Sequence, residues 1–155
     1  MSIASEKGRA VMNQESPIGS RTGVLLGYLG LIPFFVSAAL NFLPDAPLHY
    51  LAMQSLTTYG AIILSFLGGV RWGLVISGDR KSDTAKQLGY SVLPALAAWT
   101  SLLFSSWSCL TILSISFLAL YYLDSKAYIM PPWYKKLRLP LSVGALLALF
   151  SGFLI

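Results

Sequence analysis

Charged residues are scarce in this chain of 155 amino acids, in which Asp, Glu, Lys and Arg together make up 11%. A soluble globular domain carries about 25% charged residues. The charged side chains here are therefore too few to cover a soluble fold of this size. Hydrophobic residues make up 55%, and the mean hydropathy is +0.68. These values exclude a disordered chain and predict an integral membrane protein.

Reactive and metal-ligating side chains are scarce as well. Cys109 is the single cysteine, which excludes an intrachain disulfide and any site built on several cysteines. His49 is the single histidine, and one imidazole is a poor start for a metal site. No glycine-rich loop opens a helix with the Lys-Ser/Thr pair of a phosphate cradle. The sequence predicts a non-enzymatic protein without a cofactor or a metal.

Runs without Asp, Glu, Lys or Arg define the candidate membrane spans. A bilayer core about 30 Å thick needs about 20 apolar residues in a helix. Residues 22–44, 46–70 and 139–155 each form one such run. The run 87–123 would form a helix about 55 Å long, nearly twice the core thickness, so we expect it to fold back at Ser105-Ser106-Trp107-Ser108. The sequence thus predicts an all-α bundle of five transmembrane helices, near residues 23–43, 50–77, 87–104, 107–123 and 139–155.

The basic residues test this number of spans independently. With five spans, the N-terminal tail and the loops 78–86 and 124–138 lie on one side of the membrane, and they hold ten of the 11 basic residues. Basic loops stay in the cytoplasm, so the N-terminus is predicted to be cytoplasmic and the C-terminus periplasmic. We expect residues 1–22 to form a polar cytoplasmic tail and residues 23–155 a five-span domain. The net charge of +5 is then explained by lipid headgroups rather than by nucleic acid.

Small residues and prolines indicate how the spans pack. Small residues let membrane helices approach closely, and two predicted spans carry them at intervals of four: Ala61, Ser65, Gly69 and Gly73, and Gly144, Ala148 and Gly152. They predict a compact bundle, with a homodimer interface as the alternative. Pro33 and Pro94 lie inside predicted spans and are expected to kink their helices.

Arg71 is the one basic residue inside a predicted span. An ionisable residue within the membrane is a functional candidate, and Asp124 closes the fourth span on the same side at comparable depth. We predict a structural ion pair between Arg71 and Asp124 that ties the two hairpins together. The alternatives are that the Arg71 side chain extends to the headgroups, or that it binds a substrate or an ion.

Aromatic and basic residues gather in the last predicted cytoplasmic loop. Such residues anchor a chain at the lipid headgroups. The segment 127–134 is too apolar for a free loop, and we expect it to lie along the membrane surface. The predicted anchors are Tyr128, Trp133, Tyr134, Lys135 and Lys136.

One segment has a more specific residue pattern than an apolar composition alone would produce. The stretch Ser65-Phe-Leu-Gly-Gly-Val-Arg71-Trp-Gly73, together with Gly30-Leu-Ile-Pro-Phe34 upstream, resembles an uncharacterised family of small multi-span membrane proteins found in proteobacteria. It is also similar to a mitochondrial protein called transmembrane protein 69. The resemblance covers about residues 23–155. It implies a multi-span architecture and an inner-membrane location, and it supplies no reaction, cofactor or substrate.

These observations favour an accessory, assembly or stabilising subunit of a larger inner-membrane complex. Its expected partners are membrane lipids and other inner-membrane proteins. A small transporter or channel is the alternative, with Arg71 and the kinked spans lining a path. Such a path should align several polar side chains across the membrane, and the sequence offers no charged pathway. Binding of a lipid or a quinone between kinked helices is a third interpretation.

Overall fold

The computed structural model describes residues 17–43, 46–77, 84–127 and 132–154, and within these ranges all regular structure is helical. The six helices are α1 (Pro17–Leu29), α2 (Ile32–Leu40), α3 (Ala46–Ser77), α4 (Thr84–Ser101), α5 (Ser106–Lys126) and α6 (Pro132–Ser151). Because α1 and α2 are halves of one broken rod, the described chain forms five rods. This confirms the predicted all-α architecture.

The first rod is broken at Gly30 and Leu31, just before Pro33. Pro33 falls in the first turn of α2, where a missing backbone N–H costs little. The Tyr59 hydroxyl of α3 donates a hydrogen bond to the Gly30 carbonyl at 2.9 Å. A neighbouring helix therefore satisfies a backbone group at the break, as helices in lipid require. The predicted kink at Pro33 takes the form of this break, whereas α4 continues through Pro94.

The longest uncharged run folds back where the sequence predicted a turn. Helix α4 ends at Ser101 and α5 begins at Ser106. Ser105 has an extended backbone with ψ of 157°, and its carbonyl accepts a hydrogen bond from the Cys109 amide at 2.8 Å. Two helices of 18 and 21 residues thus replace one that would be far longer than the bilayer core.

Contacts between helix ends show that the five rods alternate in direction. Asp124, near the end of α5, bonds to Arg138 near the start of α6, while Leu110 at the other end of α5 packs against Gly152. These two helices are therefore antiparallel. The other directions follow from the contacts of Gly23 with Trp133, Leu31 with Gly144, Arg71 with Asp124, Gly60 with Leu113, and Ser101 with Cys109. One end of the bundle, called the arginine end below, holds the side chains of Arg71, Asp124 and Arg138.

Three stretches are long and apolar enough to cross a bilayer: Arg21–Leu40, Pro47–Ser77 and Ser106–Lys126. Helices α4 and α6 fall outside this group: the first turn of α4 carries Lys86 and Gln87, and the start of α6 carries Lys135, Lys136 and Arg138. The described residues thus form a helical membrane protein in which three rods meet the requirements for a span on their own.

Several predicted boundaries differ from the observed ones. Helix α6 begins at Pro132, seven residues before the predicted span 139–155, because a helix near the headgroups continues through charged residues that an uncharged run excludes. Helix α1 begins at Pro17, so residues 17–22 are helical. Residues 1–16 of the predicted tail lie outside the described residues.

The core lies at mid-height between α2, α3, α5 and α6. The Phe34 ring meets Tyr59 and Phe117 edge-on, with centroids 5.0 and 6.3 Å away. Leu64 and Leu149 are fully buried beside them. Large apolar side chains such as Phe66, Ile115 and Leu147 instead point outward and are exposed. Helices that are apolar on both their inner and outer faces are typical of a bundle surrounded by lipid.

The small residues of α6 pack as expected. An added Cβ on Gly144 would lie 2.9 Å from Leu31 Cδ1, and one on Gly152 would lie 2.8 Å from Leu110 Cδ1. Ala148 between them is buried. This face of α6 therefore brings its backbone close to both α2 and α5.

The small residues of α3 pack only in part. Ala61 is buried, but Gly69 and Gly73 are exposed, with no described atom within 4 Å of an added Cβ. A step of four residues turns about 40° beyond a full circle, so a stripe at that interval winds away from the neighbouring helix. The close contact falls on Gly68, where an added Cβ would lie 2.6 Å from the Ser91 carbonyl oxygen. Within the described chain, Gly69 and Gly73 therefore make no close helix contact, and the packing role expected for them stays a prediction.

Candidate functional site: a buried arginine-aspartate-arginine cluster

Asp124 lies between two arginines at the arginine end of the bundle. Arg71 of α3 donates from Nη1 to Asp124 Oδ1 at 3.1 Å, and Arg138 of α6 donates from Nε to Oδ2 at 2.8 Å. Each carboxylate oxygen thus has its own guanidinium partner. The three residues are only 6%, 2% and 3% exposed, in the order of the chain. The cluster joins α3, α5 and α6.

Arg71 is directed inward by its place on α3. The buried positions of this helix include Leu64, Gly68, Arg71 and Val75, which follow the alternating spacing of four and three that marks one packed face. Gly69 and Gly73 lie on a different face, about 160° away by helical geometry. The structure therefore brings Arg71 into contact with Asp124, the partner expected from the sequence, and its side chain is buried rather than extended to the surface.

Arg138 is the cluster residue that the sequence analysis missed. The sequence pattern predicts it in the basic loop 124–138 before the last span, whereas the structure places it inside α6. A signal was present: Arg138, Ser142, Ala145, Leu149 and Gly152 are spaced four, three, four and three apart, and all are buried. The same spacing, continued from the apolar part of α6 towards its start, includes Arg138.

The cluster has an excess of positive charge. One carboxylate faces two guanidiniums, which stay protonated at any ordinary pH. Among the described residues, Arg71 Nε and Arg138 Nη2 are buried without a hydrogen-bond partner. A buried donor without an acceptor is costly. Two guanidiniums and one carboxylate also leave a formal charge of +1 within the bundle. Chemically, the cluster can hold helices together and attract an anion, and each oxygen of its carboxylate is engaged by a guanidinium.

Four of the five predicted surface anchors lie in the first turns of α6. Trp133 packs over Gly23, and its ring meets the Tyr134 ring edge-on at 5.8 Å. Lys135 is partly buried and Lys136 is exposed. Tyr128 lies outside the described residues. The four described anchors thus surround the arginine end, at the height of the ionic cluster.

Several hydroxyl groups in the helices bond to their own backbone. Each of the following donates to a carbonyl three or four residues earlier: Thr57, Ser91, Thr100, Ser101, Thr111 and Ser151. Ser37 instead donates to Ser55 between α2 and α3 at 3.0 Å. These hydroxyls thus have partners within their own helix or on a neighbouring one, whereas the buried Ser142 Oγ has no partner among the described residues.

Cys109 and His49 each lie next to a polar group of the protein itself. Cys109 is buried beside Ser101, and His49 Nδ1 lies 3.2 Å from the Asn41 carbonyl oxygen. No group of three His, Cys, Asp or Glu side chains that could hold a metal ion occurs in the described part of the chain.

The helical fold, its apolar surface and its buried ionic cluster define a small polytopic α-helical membrane protein. The chain belongs to the family described as protein of unknown function DUF3429, whose family model matches residues 20–154. It is 38% identical over 138 residues to transmembrane protein 69 of Xenopus tropicalis, covering 85% of this chain and 53% of that protein. It is 33% identical over 127 residues to transmembrane protein 69 of Mus musculus, covering 79% and 50%. The chain thus spans about half the length of these relatives. No solved structure matches it.

Proposed function

We propose that this protein is a non-enzymatic accessory, assembly or stabilising subunit of a larger complex in a bacterial inner membrane. The observation that carries this proposal is that the buried ionic groups bond to one another inside the bundle. The ionic cluster joins three helices, and several buried helix hydroxyls, such as those of Ser91 and Ser101, bond to their own backbone. The outward faces are left to apolar side chains. A protein built in this way acts through its shape and its surface within the membrane.

The proposed orientation places the arginine end at the cytoplasmic surface. The alternating rods bring the starts of α4 and α6 to this end, and both starts carry basic residues. Basic segments remain in the cytoplasm during insertion. The N-terminus is then cytoplasmic, the C-terminus is periplasmic, and all five rods cross the membrane.

Transport is the rival function, and the structure favours it less. A path for a polar solute needs polar side chains at successive depths. Here the buried ionic groups that the structure describes lie together at one end of the bundle. Further along the helices, Leu64, Leu113 and Phe117 fill the interior with apolar side chains. A solute that passed Arg71 would therefore meet a closed apolar core.

The test is extraction of the tagged protein at its natural expression level in a mild detergent, followed by native mass analysis. We expect it to co-migrate in fixed stoichiometry with the same larger complex in two different detergents. A second sample, with two distinguishable tags on separate copies, measures self-association. A lone monomer, or a homodimer that contains no other protein, would contradict the subunit role. Rapid labelling of a cysteine placed at Leu64 or Leu113 by a water-soluble reagent would instead support transport.

A further inference from the structure

The break in the first rod leaves a cleft on the side of the bundle. It has a volume of about 110 Å³ and lies between α1, α2, α3, α5 and α6. Its apolar lining includes Leu31 and Phe34 beside the break, Ile63 on α3 and Leu141 on α6. Arg138 also lines it. The cleft thus joins an apolar wall to the ionic cluster.

Arg138 gives this cleft a chemical preference. Its Nε is bonded to Asp124, while its Nη2 has no partner among the described residues. Asp124 cannot neutralise the site, because its other oxygen is bonded to Arg71. An anion beside Arg138 would balance the formal charge of +1 and supply the acceptor that the guanidinium lacks. Planar guanidinium groups suit phosphate and carboxylate oxygens in this role.

The direction of the cleft shows where the apolar part of a ligand lies. The lining runs along α6 from Arg138 to Ala145, a distance of about 10 Å by helix rise. Arg138 lies at the end of the bundle where Trp133 and Lys136 mark the headgroup region. Ala145 lies deeper, beside the apolar core. A ligand held here has its charge near the headgroups and its apolar part towards the membrane interior.

The volume of the cleft bears on whether an acyl lipid or a quinone fits it better. A closed apolar cavity of about 150 Å³ binds a benzene molecule. The smaller cleft favours one segment of a flexible acyl chain over a substituted ring such as that of a quinone. The remainder of a lipid would stay in the surrounding bilayer, because the cleft is only partly enclosed and its lining includes the exposed Leu26 and Phe66.

We propose that this cleft binds an anionic phospholipid, with the phosphate accepting hydrogen bonds from Arg138 and part of one acyl chain lying between α1, α3 and α6. The site goes beyond the subunit role and does not depend on it. It predicts a preference for anionic over zwitterionic lipid with the same acyl chains. The preference depends on both Arg138 and the space beside Leu141.

The experiment is native mass spectrometry of the purified, delipidated full chain, titrated with phosphatidylglycerol or phosphatidylcholine of identical acyl composition. We expect one tightly bound phosphatidylglycerol per chain, with an affinity about tenfold higher than for phosphatidylcholine. Arg138→Gln should remove the preference. Arg71 then remains to pair with Asp124, and thermal unfolding in detergent shows whether this variant is folded.

A second pair of variants tests the cleft without changing the cluster. Leu141→Trp fills the cleft and should weaken phosphatidylglycerol binding, whereas Leu147→Trp on an exposed face of the same helix should leave it unchanged. Equal binding of the two lipids, or unchanged binding in Leu141→Trp, would overturn the proposal. Displacement of the lipid by inorganic phosphate alone, by a fatty acid or by a quinone at equal concentration would also overturn it. The first would show that the acyl chain contributes nothing, and the others that a different amphiphile is preferred.

Discussion

Arg138 Nε lies 2.8 Å from Asp124 Oδ2, across the contact between the sixth and fifth helices. Arg71 occupies the other oxygen of the same carboxylate at 3.1 Å. The two arginines come from sequence positions far apart, and Asp124 is the group that permits both to be buried. The arginine end of the bundle is therefore organised around one acidic side chain.

Asp124→Asn should destabilise the protein strongly. The substitution keeps the shape of the side chain but removes its charge, which leaves two buried guanidiniums without a counterion. Loss of one partner from a buried ion pair costs about 3–5 kcal/mol. Thermal or denaturant unfolding in detergent measures the change. The matched control is Arg21→Gln, which alters an exposed charge and should change stability by no more than about 0.5 kcal/mol.

A double-mutant cycle on Arg71 and Asp124 separates coupling from general damage. We expect Arg71→Gln combined with Asp124→Asn to be less destabilising than the sum of the single changes, by about 0.5–3 kcal/mol. The reason is that removal of one arginine relieves part of the uncompensated charge. Simple additivity would mean that the 3.1 Å contact contributes no coupling energy.

Gly68→Ala should destabilise the bundle, while Gly69→Ala should not. An added Cβ on Gly68 would lie 2.6 Å from the Ser91 backbone oxygen, which cannot move without shifting α4. Overpacking of this kind costs about 1–3 kcal/mol. Gly69 has no described atom within 4 Å of an added Cβ, so its change should stay within about 0.5 kcal/mol. Equal midpoints in thermal unfolding for the two variants would contradict the observed packing of α3 on α4.

The sequence predicts the pairing of Arg71 with Asp124 because each is an isolated charge near the same end of a long apolar segment. The sequence pattern does not predict Arg138 as a member of the cluster, for a physical reason. A search for uncharged runs places the start of a helix after the last charge, whereas a buried carboxylate lets the helix continue through an arginine. The charge of Arg138 is balanced by a residue on another helix, and a search along one segment does not include that partner.

The packed face of α3 shows a similar limit. Intervals of four select Ala61, Ser65, Gly69 and Gly73, but successive members of such a series rotate around the helix. The alternating spacing of three and four follows the buried face and selects Gly68. Both patterns are present in the sequence, and the position of α4 decides which one makes the contact.

Tyr59→Phe should weaken the join between α3 and the broken first rod. The Tyr59 hydroxyl donates to the Gly30 carbonyl at 2.9 Å, and its removal leaves that carbonyl without this donor. We expect a loss of about 1 kcal/mol in unfolding free energy. The edge-on contact of the ring with Phe34 is retained in the variant. Tyr50→Phe, at an exposed position of the same helix, is the control and should be neutral. An equal loss in both variants would exclude a specific role for the bond to Gly30.

Single cysteines introduced into a Cys109→Ala background test the alternation of the five rods across the membrane. Lys86→Cys and Lys136→Cys lie at exposed positions near the starts of α4 and α6, and Ser105→Cys lies in the exposed turn before α5. We expect a membrane-impermeant maleimide to label the first two from the cytoplasmic side and the third from the opposite side. The reason is that α4, α5 and α6 alternate in direction, so the starts of α4 and α6 meet at one end of the bundle and the turn at the other. Labelling of Ser105→Cys and Lys136→Cys from the same side would mean that α5 does not cross the bilayer, which would overturn the five-span arrangement and the cytoplasmic placement of the arginine end.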